Sequence, residues 1–278
     1  MTTLSPATAT LPPVRSVAGA GKRYRLGRIF AADGRSVVLP ADHGSMLGRV
    51  AGLEDPVGLI ERFMSLDIDG FLLGPGVIQR TAELFAHRGA PARLLTIDTY
   101  WRDPERGTGE HVLMTTLERA VRLGVDAVKV LMPWDVSPAE RAARSALIGE
   151  VIAAADPLGM PVMVEPICLA APRPADAVKI EGDGCRMAAE LGADIIKVMY
   201  PNDPELLAAW CRELEAPVVI LGGPAQGTTD ELCDMVSAAV AAGARGITIG
   251  RRVWQRPIEE ATEVLARLSS IVHDGTQA

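Results

Sequence analysis

Two lysines are placed where a sequence rarely tolerates them. Lys129 sits in Asp126-Ala127-Val128-Lys129-Val130-Leu131-Met132, and Lys197 in Asp194-Ile195-Ile196-Lys197-Val198-Met199. Lysine is almost never buried without a reason, and a strand apolar on both faces offers it no wet side. A desolvated amine sheds its proton more readily, and a second cation nearby pushes the same way. A neutral amine attacks carbonyl carbon to form a Schiff base. Two carboxylates stand in comparable settings. Glu165 closes the apolar run Val162-Met163-Val164 and reads as an acid/base with a raised pKa. Asp42 follows Val37-Val38-Leu39-Pro40-Ala41, aimed at a substrate hydroxyl. Each has a plainer reading: Asp42 as a turn residue, Glu165 as a rim partner of a lysine, and either lysine as a snorkelling side chain.

Eight short β-branched runs carry or flank these residues: Val37–Ala41, Gly70–Leu73, Arg93–Ile97, Ala127–Leu131, Val162–Glu165, Ile195–Met199, Val218–Leu221 and Gly246–Ile249. Helical stretches separate them. Ser137-Pro138-Ala139-Glu140 has the form of a capping box, and Thr229-Asp230-Glu231 opens another helix. Gly124, Gly192 and Gly243 fall where left-handed helix caps belong. Eight evenly spaced strand–helix units predict an α/β fold, a single-domain (β/α)8 TIM barrel over residues 21–278. No GxGxxG follows the first strand, which disfavours a doubly wound sheet. Residues 1–20, rich in Thr, Ala, Pro and Ser, read as a flexible N-terminal tail.

In such barrels the chemistry lies at the C-terminal ends of the strands. Lys129 and Lys197 come from the fourth and sixth strands, and alternate strands supply the same interior layers, so the two amines are expected to meet. The seventh and eighth strands run into Gly222-Gly223-Pro224 and Gly250-Arg251-Arg252. Glycine exposes backbone N–H groups and arginine adds charge, which together suit a phosphate. His43 is the one histidine at a strand end and joins this group as a substrate-binding candidate. His87 and His111 read as surface or packing residues. No HxH or HExxH motif is present, so no metal site is expected.

Composition narrows the partners. The net charge is −7 with pI about 5.2, which argues against nucleic acid or an anionic membrane. Aromatic residues at 4% leave little for a base-stacking surface. Cys168, Cys185, Cys211 and Cys233 form no CxxC pair and read as reduced thiols of a cytoplasmic protein. No apolar run is long enough to span a bilayer. Acidic, Ala-rich helices suit a homo-oligomer.

Gly21-Lys22-Arg23-Tyr24-Arg25-Leu26-Gly27-Arg28-Ile29-Phe30, Ala41-Asp42-His43-Gly44, Asp194-Ile195-Ile196-Lys197, Gly222-Gly223-Pro224 and Gly250-Arg251-Arg252-Val253-Trp254-Gln255 together resemble the class I aldolases of the deoxyribose-phosphate/fructose-bisphosphate group. The resemblance covers nearly everything from Gly21 onward. It implies a Schiff base on Lys197, proton transfer by Asp42, phosphate held by Gly222, Gly223, Gly250 and Arg251, and neither metal nor cofactor. Archaeal-type fructose-bisphosphate aldolase and aminodideoxyheptulosonate synthase share the pattern. They carry a tyrosine after the fifth strand, where this chain has Glu165-Pro166-Ile167-Cys168-Leu169. Here, and at Lys129, it is more similar to tagatose-bisphosphate and sulfofructose-phosphate aldolases. That similarity implies that Glu165 takes over proton transfer, while Lys129 tunes Lys197 or holds a substrate hydroxyl. The implied substrate is a phosphorylated ketose with dihydroxyacetone phosphate as donor or product. An aminodideoxyheptulosonate-type synthase or transaldolase-like enzyme on the same barrel, a phosphosugar isomerase without an imine and a binding barrel without turnover are the rival readings. Tyr100-Trp101-Arg102-Asp103 and Ala170-Ala171-Pro172-Arg173 are expected as loops that read the aldehyde half, with Arg102 or Arg173 meeting a second anion.

Overall fold

The computed structural model of the protein describes residues 19–102, 109–223 and 225–274. The expected tail thus lies almost wholly outside the described residues, as do Asp103 and Pro224. Ten strands are present among them: β1 (Ser36–Pro40), β2 (Gly70–Leu73), β3 (Ala92–Thr96), β4 (Asp98–Arg102), β5 (Gly109–Leu113), β6 (Ala127–Pro133), β7 (Val162–Ile167), β8 (Ile195–Met199), β9 (Val218–Leu221) and β10 (Gly246–Thr248). Eight of them close a parallel barrel in the order β1-β2-β3-β6-β7-β8-β9-β10. The predicted barrel is therefore present strand for strand.

Side chains alternate along every barrel strand, because successive Cβ atoms point to opposite faces. Val128, Val130, Val162, Val164, Ile196 and Val198 face outward into the main core beneath the helices. Val38, Leu72, Leu94, Ala127, Met163, Ile195 and Val219 face inward and form a second, smaller core. Leu26, Ile29 and Phe30 join this inner cluster from the helix Ala20–Ile29 and its end, so that helix packs on the N-terminal end of the barrel. Its Lys22 is buried and pairs with Asp156 at 2.5 Å and Asp194 at 2.8 Å.

A repeated device sets the strand starts. Asp69 accepts from the Val37 amide at 2.6 Å, Asp126 from Arg93 at 2.9 Å and Asp194 from Val162 at 2.9 Å. Each aspartate precedes the second, fourth or sixth barrel strand and grips the strand before it. Each also meets a cation: Asp126 pairs with Arg28 at 2.8 Å, Asp194 with Lys22, and Asp69 with His273 at 3.2 Å. The helix signals behave as expected. Ser137 and Glu140 form the capping box of the helix Pro138–Ala155. Thr229 opens the helix Thr229–Ala241 as expected, behind an N-cap on Thr228 whose side chain forms a capping box with Glu231.

One departure matters for function. The segment expected as a loop at Tyr100–Arg102 is strand. β4 and β5 form an antiparallel hairpin outside the barrel, with Tyr100 opposite His111 and Asp98 opposite Leu113. Thr99 Oγ1 donates to the Ser45 carbonyl at 2.9 Å, which ties the hairpin to the segment after β1.

His273, near the end of the last helix, has Nδ1 2.8 Å from Asp33 and Nε2 3.2 Å from Asp69. Asp69 and, beyond the opposing effect of burial, Asp33 push its pKa up to about 9. A folded-state pKa above the unfolded value of 6.5 means that the stabilisation is complete below that value and is lost as pH rises toward about 9. After allowance for solvent the contribution is about 1–2 kcal/mol. His273→Gln should therefore lower the melting temperature by about 2–6 °C near pH 6 and by almost nothing near pH 10. An equal deficit at both pH values would refute the charged pairing.

Candidate active site

A cavity of about 240 Å³ opens at the C-terminal end of the barrel, and all nine predicted site residues line it: Asp42, His43, Lys129, Glu165, Lys197, Gly222, Gly223, Gly250 and Arg251. Lys129 and Lys197 are 3% and 6% exposed, and Glu165 is 5% exposed. The expectation that alternate strands bring the lysines together holds through a shared partner. Glu165 Oε2 lies 2.9 Å from Lys129 Nζ, and its Oε1 lies 3.0 Å from Lys197 Nζ. Lys129 is also 3.5 Å from Asp42 Oδ2, which in turn accepts from Thr96 Oγ1 at 2.6 Å. The chain Asp42–Lys129–Glu165–Lys197 thus crosses the barrel from the end of β1 to β8.

Two electrostatic expectations are corrected. Burial alone predicts a raised pKa for Glu165. It does push the carboxyl up, but Lys129 and Lys197 overcome that push and hold it below its ordinary value. Burial alone also predicts neutral lysines. For Lys129 burial favours the neutral amine, yet Glu165, Asp42 and Asp98 reverse the effect and raise its pKa. Asp42 follows the same logic: burial opposes its charge, while Lys129 and Lys197 hold it well below the carboxylate range. His43 is lowered, chiefly by burial, and its ring packs edge-on against Trp254 with centroids 5.6 Å apart.

The glycine segments after β9 and β10 form another part of the cavity wall. Gly223 has φ +67°, a left-handed conformation that disfavours other residues. At Gly250 a Cβ would lie 2.5 Å from the Pro40 carbonyl oxygen and 2.7 Å from Trp254 Nε1. That indole donates to the same carbonyl at 2.9 Å, so the close approach is fixed. Among the described residues Arg251 has no ion-pair partner, and its Nε is buried without a hydrogen bond. Burial lowers its pKa. A half-buried, uncompensated guanidinium beside two glycine turns can hold a dianion.

Several neighbours carried no sequence signal. Thr96 orients Asp42, and Thr248 places at the cavity wall a buried hydroxyl that has no hydrogen-bond partner among the described residues. His111 is neither a surface residue nor simple packing, because its Nε2 lies 2.5 Å from the fully buried Asp98. Only an alternation pattern over residues 98–102 and 109–113, read as a hairpin, would have brought the two together. Arg173 does not extend toward a second anion. It forms a bidentate pair with buried Glu181 at 2.7 Å to each oxygen, which fixes the segment after β7. The Arg102 side chain lies outside the described residues. Among those residues no group of His, Cys, Asp and Glu is arranged to hold a metal ion, and no helix is long and apolar enough to cross a membrane.

A closed α/β barrel with buried amines and carboxylates across its mouth, and an arginine with no ion-pair partner among the described residues beside glycine turns, defines an enzyme of the barrel class. More particularly, a family model described as DeoC/LacD family aldolase matches residues 36–256, and the chain belongs to that family. It is 32% identical to 2-amino-3,7-dideoxy-D-threo-hept-6-ulosonate synthase of Halobacterium salinarum, over 92% of each chain. It is 27% identical to the class 1 fructose-bisphosphate aldolase of Thermoproteus tenax, over 89% of this chain and 93% of that one. Among solved structures it is similar, at TM-score 0.73 and 25% identity, to an archaeal fructose-1,6-bisphosphate aldolase with its catalytic lysine bound to a carbinolamine intermediate. That match covers 90% of this chain and 98% of the other.

If Arg251 holds an anion, Arg251→Met should weaken binding of inorganic phosphate at least about tenfold, as measured by calorimetry, without lowering the melting temperature. Unchanged phosphate affinity would remove Arg251 from the anion site.

Proposed function

We propose that the protein is a class I aldolase that makes or cleaves a carbon–carbon bond of a phosphorylated ketose through a Schiff base on Lys197, with dihydroxyacetone phosphate as donor or product. The observation that carries this reading is the placement of Lys197 3.0 Å from Glu165, inside a cavity whose wall also bears the glycine turns and Arg251. The names of the Halobacterium and Thermoproteus relatives, and the carbinolamine-bearing structure, support it.

The phosphate docks against Gly222, Gly223, Gly250 and Arg251, which presents the C2 carbonyl to Lys197. Positioning of this kind removes much of the entropic part of a barrier. The free amine of Lys197 attacks C2. The N–C2 bond forms, and the carbonyl electron pair moves to oxygen. Glu165 carries two protons from nitrogen to oxygen. The first, taken as the amine is freed for attack, turns the alkoxide into a hydroxyl; the second, released by nitrogen once the N–C2 bond has formed, leaves with that hydroxyl as water, and an iminium remains. In the cleavage direction, a carboxylate takes the C4 hydroxyl proton as the C3–C4 bond breaks. The bonding pair moves into the iminium as an enamine, and an aldehyde is released. Asp42 suits this step, because it is held ionised and lies beside Lys129, which can bind the same hydroxyl. Protonation of the enamine at C3 and hydrolysis regenerate Lys197. Condensation reverses the sequence.

Sodium borohydride added during turnover with fructose 1,6-bisphosphate reduces an iminium to a stable amine. Peptide mapping should find the added mass on Lys197, and Lys197→Met should lose both the adduct and at least about 10⁴-fold of the cleavage rate. Turnover without an adduct on Lys197 would reject the Schiff-base assignment. Near-wild-type turnover of Lys197→Met would favour an isomerase that moves protons without an imine.

A further inference from the structure

Two lysines touch the same glutamate, yet the proposed mechanism gives the nucleophile's role to only one. The structure distinguishes them by what lies behind. Among the described residues Lys197 has a single carboxylate within 4 Å, Glu165. Lys129 has two, Glu165 at 2.9 Å and Asp42 at 3.5 Å, and a third carboxylate, Asp98, acts on it from outside the cavity. Asp98 is fully buried and does not line the cavity. It follows β3 after one residue, at the point where the chain leaves the barrel for the hairpin.

The last barrel bond made there by main chain runs from the Ile97 amide to the Lys129 carbonyl at 3.1 Å. The next is made by a side chain, since Asp98 Oδ2 accepts from the Leu131 amide at 2.7 Å. That carboxylate therefore replaces a ladder carbonyl on the strand that carries Lys129, just beyond it. Among the described residues its Oδ1 is buried without a hydrogen-bond partner. An uncompensated carboxylate oxygen in a medium of low dielectric acts strongly on nearby charge. His111 holds Oδ2 from the hairpin side. Tyr100 packs edge-on against the His111 ring, and the Arg144 guanidinium lies 4.8 Å from the centre of the Tyr100 ring.

We propose that Asp98, clamped by His111 and bound to the Leu131 amide of the strand that carries Lys129, is a positioning residue whose charge joins those of Asp42 and Glu165 in holding the Lys129 amine as a fixed cation, and so reserves the nucleophile's role for Lys197. This rests on the Schiff-base reading above. The hairpin then serves the site by carrying the clamp that keeps Asp98 against β6. Asp98 touches no reacting atom. Its effect passes through Lys129, and that predicts a specific non-additivity.

The test is a double-mutant cycle on the full-length enzyme. Asp98→Asn keeps the shape and an acceptor for the Leu131 amide but removes the charge. It should lower kcat roughly tenfold with KM changed less than about twofold, the pattern of an interaction made in the transition state. In a Lys129→Met background the same substitution should cost less than about twofold, because its target is gone. Equal losses in both backgrounds would make Asp98 merely structural and overturn the proposal, as would an Asp98→Asn enzyme of wild-type kcat. A second measurement stands if Asp98→Asn does not fold. Borohydride trapping in Lys197→Met should label no residue even at high pH, because Lys129 stays protonated. An adduct on Lys129 there would overturn the proposal. Failure of the parent reading looks different, since wild-type enzyme would then give no adduct on Lys197 at all.

Discussion

The site depends on one carboxylate that faces two lysine side chains inside a barrel. Glu165 is buried, and each of its oxygens meets a different lysine. Removing three such groups from water is costly, and only close, well-shaped contacts offset that cost. Lys129 and Lys197 both face Glu165, and together they keep it ionised against the opposing effect of burial. Loss of one member leaves an uncompensated charge, which commonly costs about 3–5 kcal/mol. On the proposed reading, an ionised carboxylate thus stands next to the nucleophile, with the Lys129 cation on its other side.

That contact needs β6, β7 and β8 held in register. Leu131 lies opposite Glu165, and Lys197 opposite Val219. Because the side-chain period is two, a slip of one residue would turn Lys129 or Glu165 outward into the apolar core. The aspartates that precede β2, β6 and β8 oppose such slips at the strand starts, and the cations they meet join the first and last helices to the same frame. The two ends of the barrel thus divide the work. One fixes register, and the other uses it.

Much of this was legible in the sequence. Apolar runs with a lysine at the centre pointed to the barrel strands and to two buried amines in the cavity at once, since few other features explain a charge in such a run. Glycines after the last two strands pointed to the turns that wall the cavity beside Arg251. The sign of the Glu165 shift was not legible, because burial is visible in a run of valines but the number of cations facing a carboxylate is not. The hairpin escaped because β4 follows β3 after one residue, so the two run together as a single stretch. Asp98, His111 and Thr96 gain their meaning from contacts across that hairpin or across the barrel, which no local pattern encodes. Arg173 looked free because its partner, Glu181, sits eight residues away on the face of a helix.

The central claim is that Glu165 moves the protons of imine formation on Lys197. Imine formation expels the carbonyl oxygen of the substrate, so dihydroxyacetone phosphate labelled with oxygen-18 at C2 should lose its label to water in the presence of enzyme. The most direct measurement is the rate of that loss, by mass spectrometry, in wild-type, Lys197→Met and Glu165→Gln proteins that remain folded. Loss should be rapid and enzyme-dependent in wild type, fall to the spontaneous rate in Lys197→Met, and be at least roughly a hundredfold slower than wild type in Glu165→Gln. Exchange at the wild-type rate in Glu165→Gln would contradict the claim and leave the bridging carboxylate as a structural counter-ion.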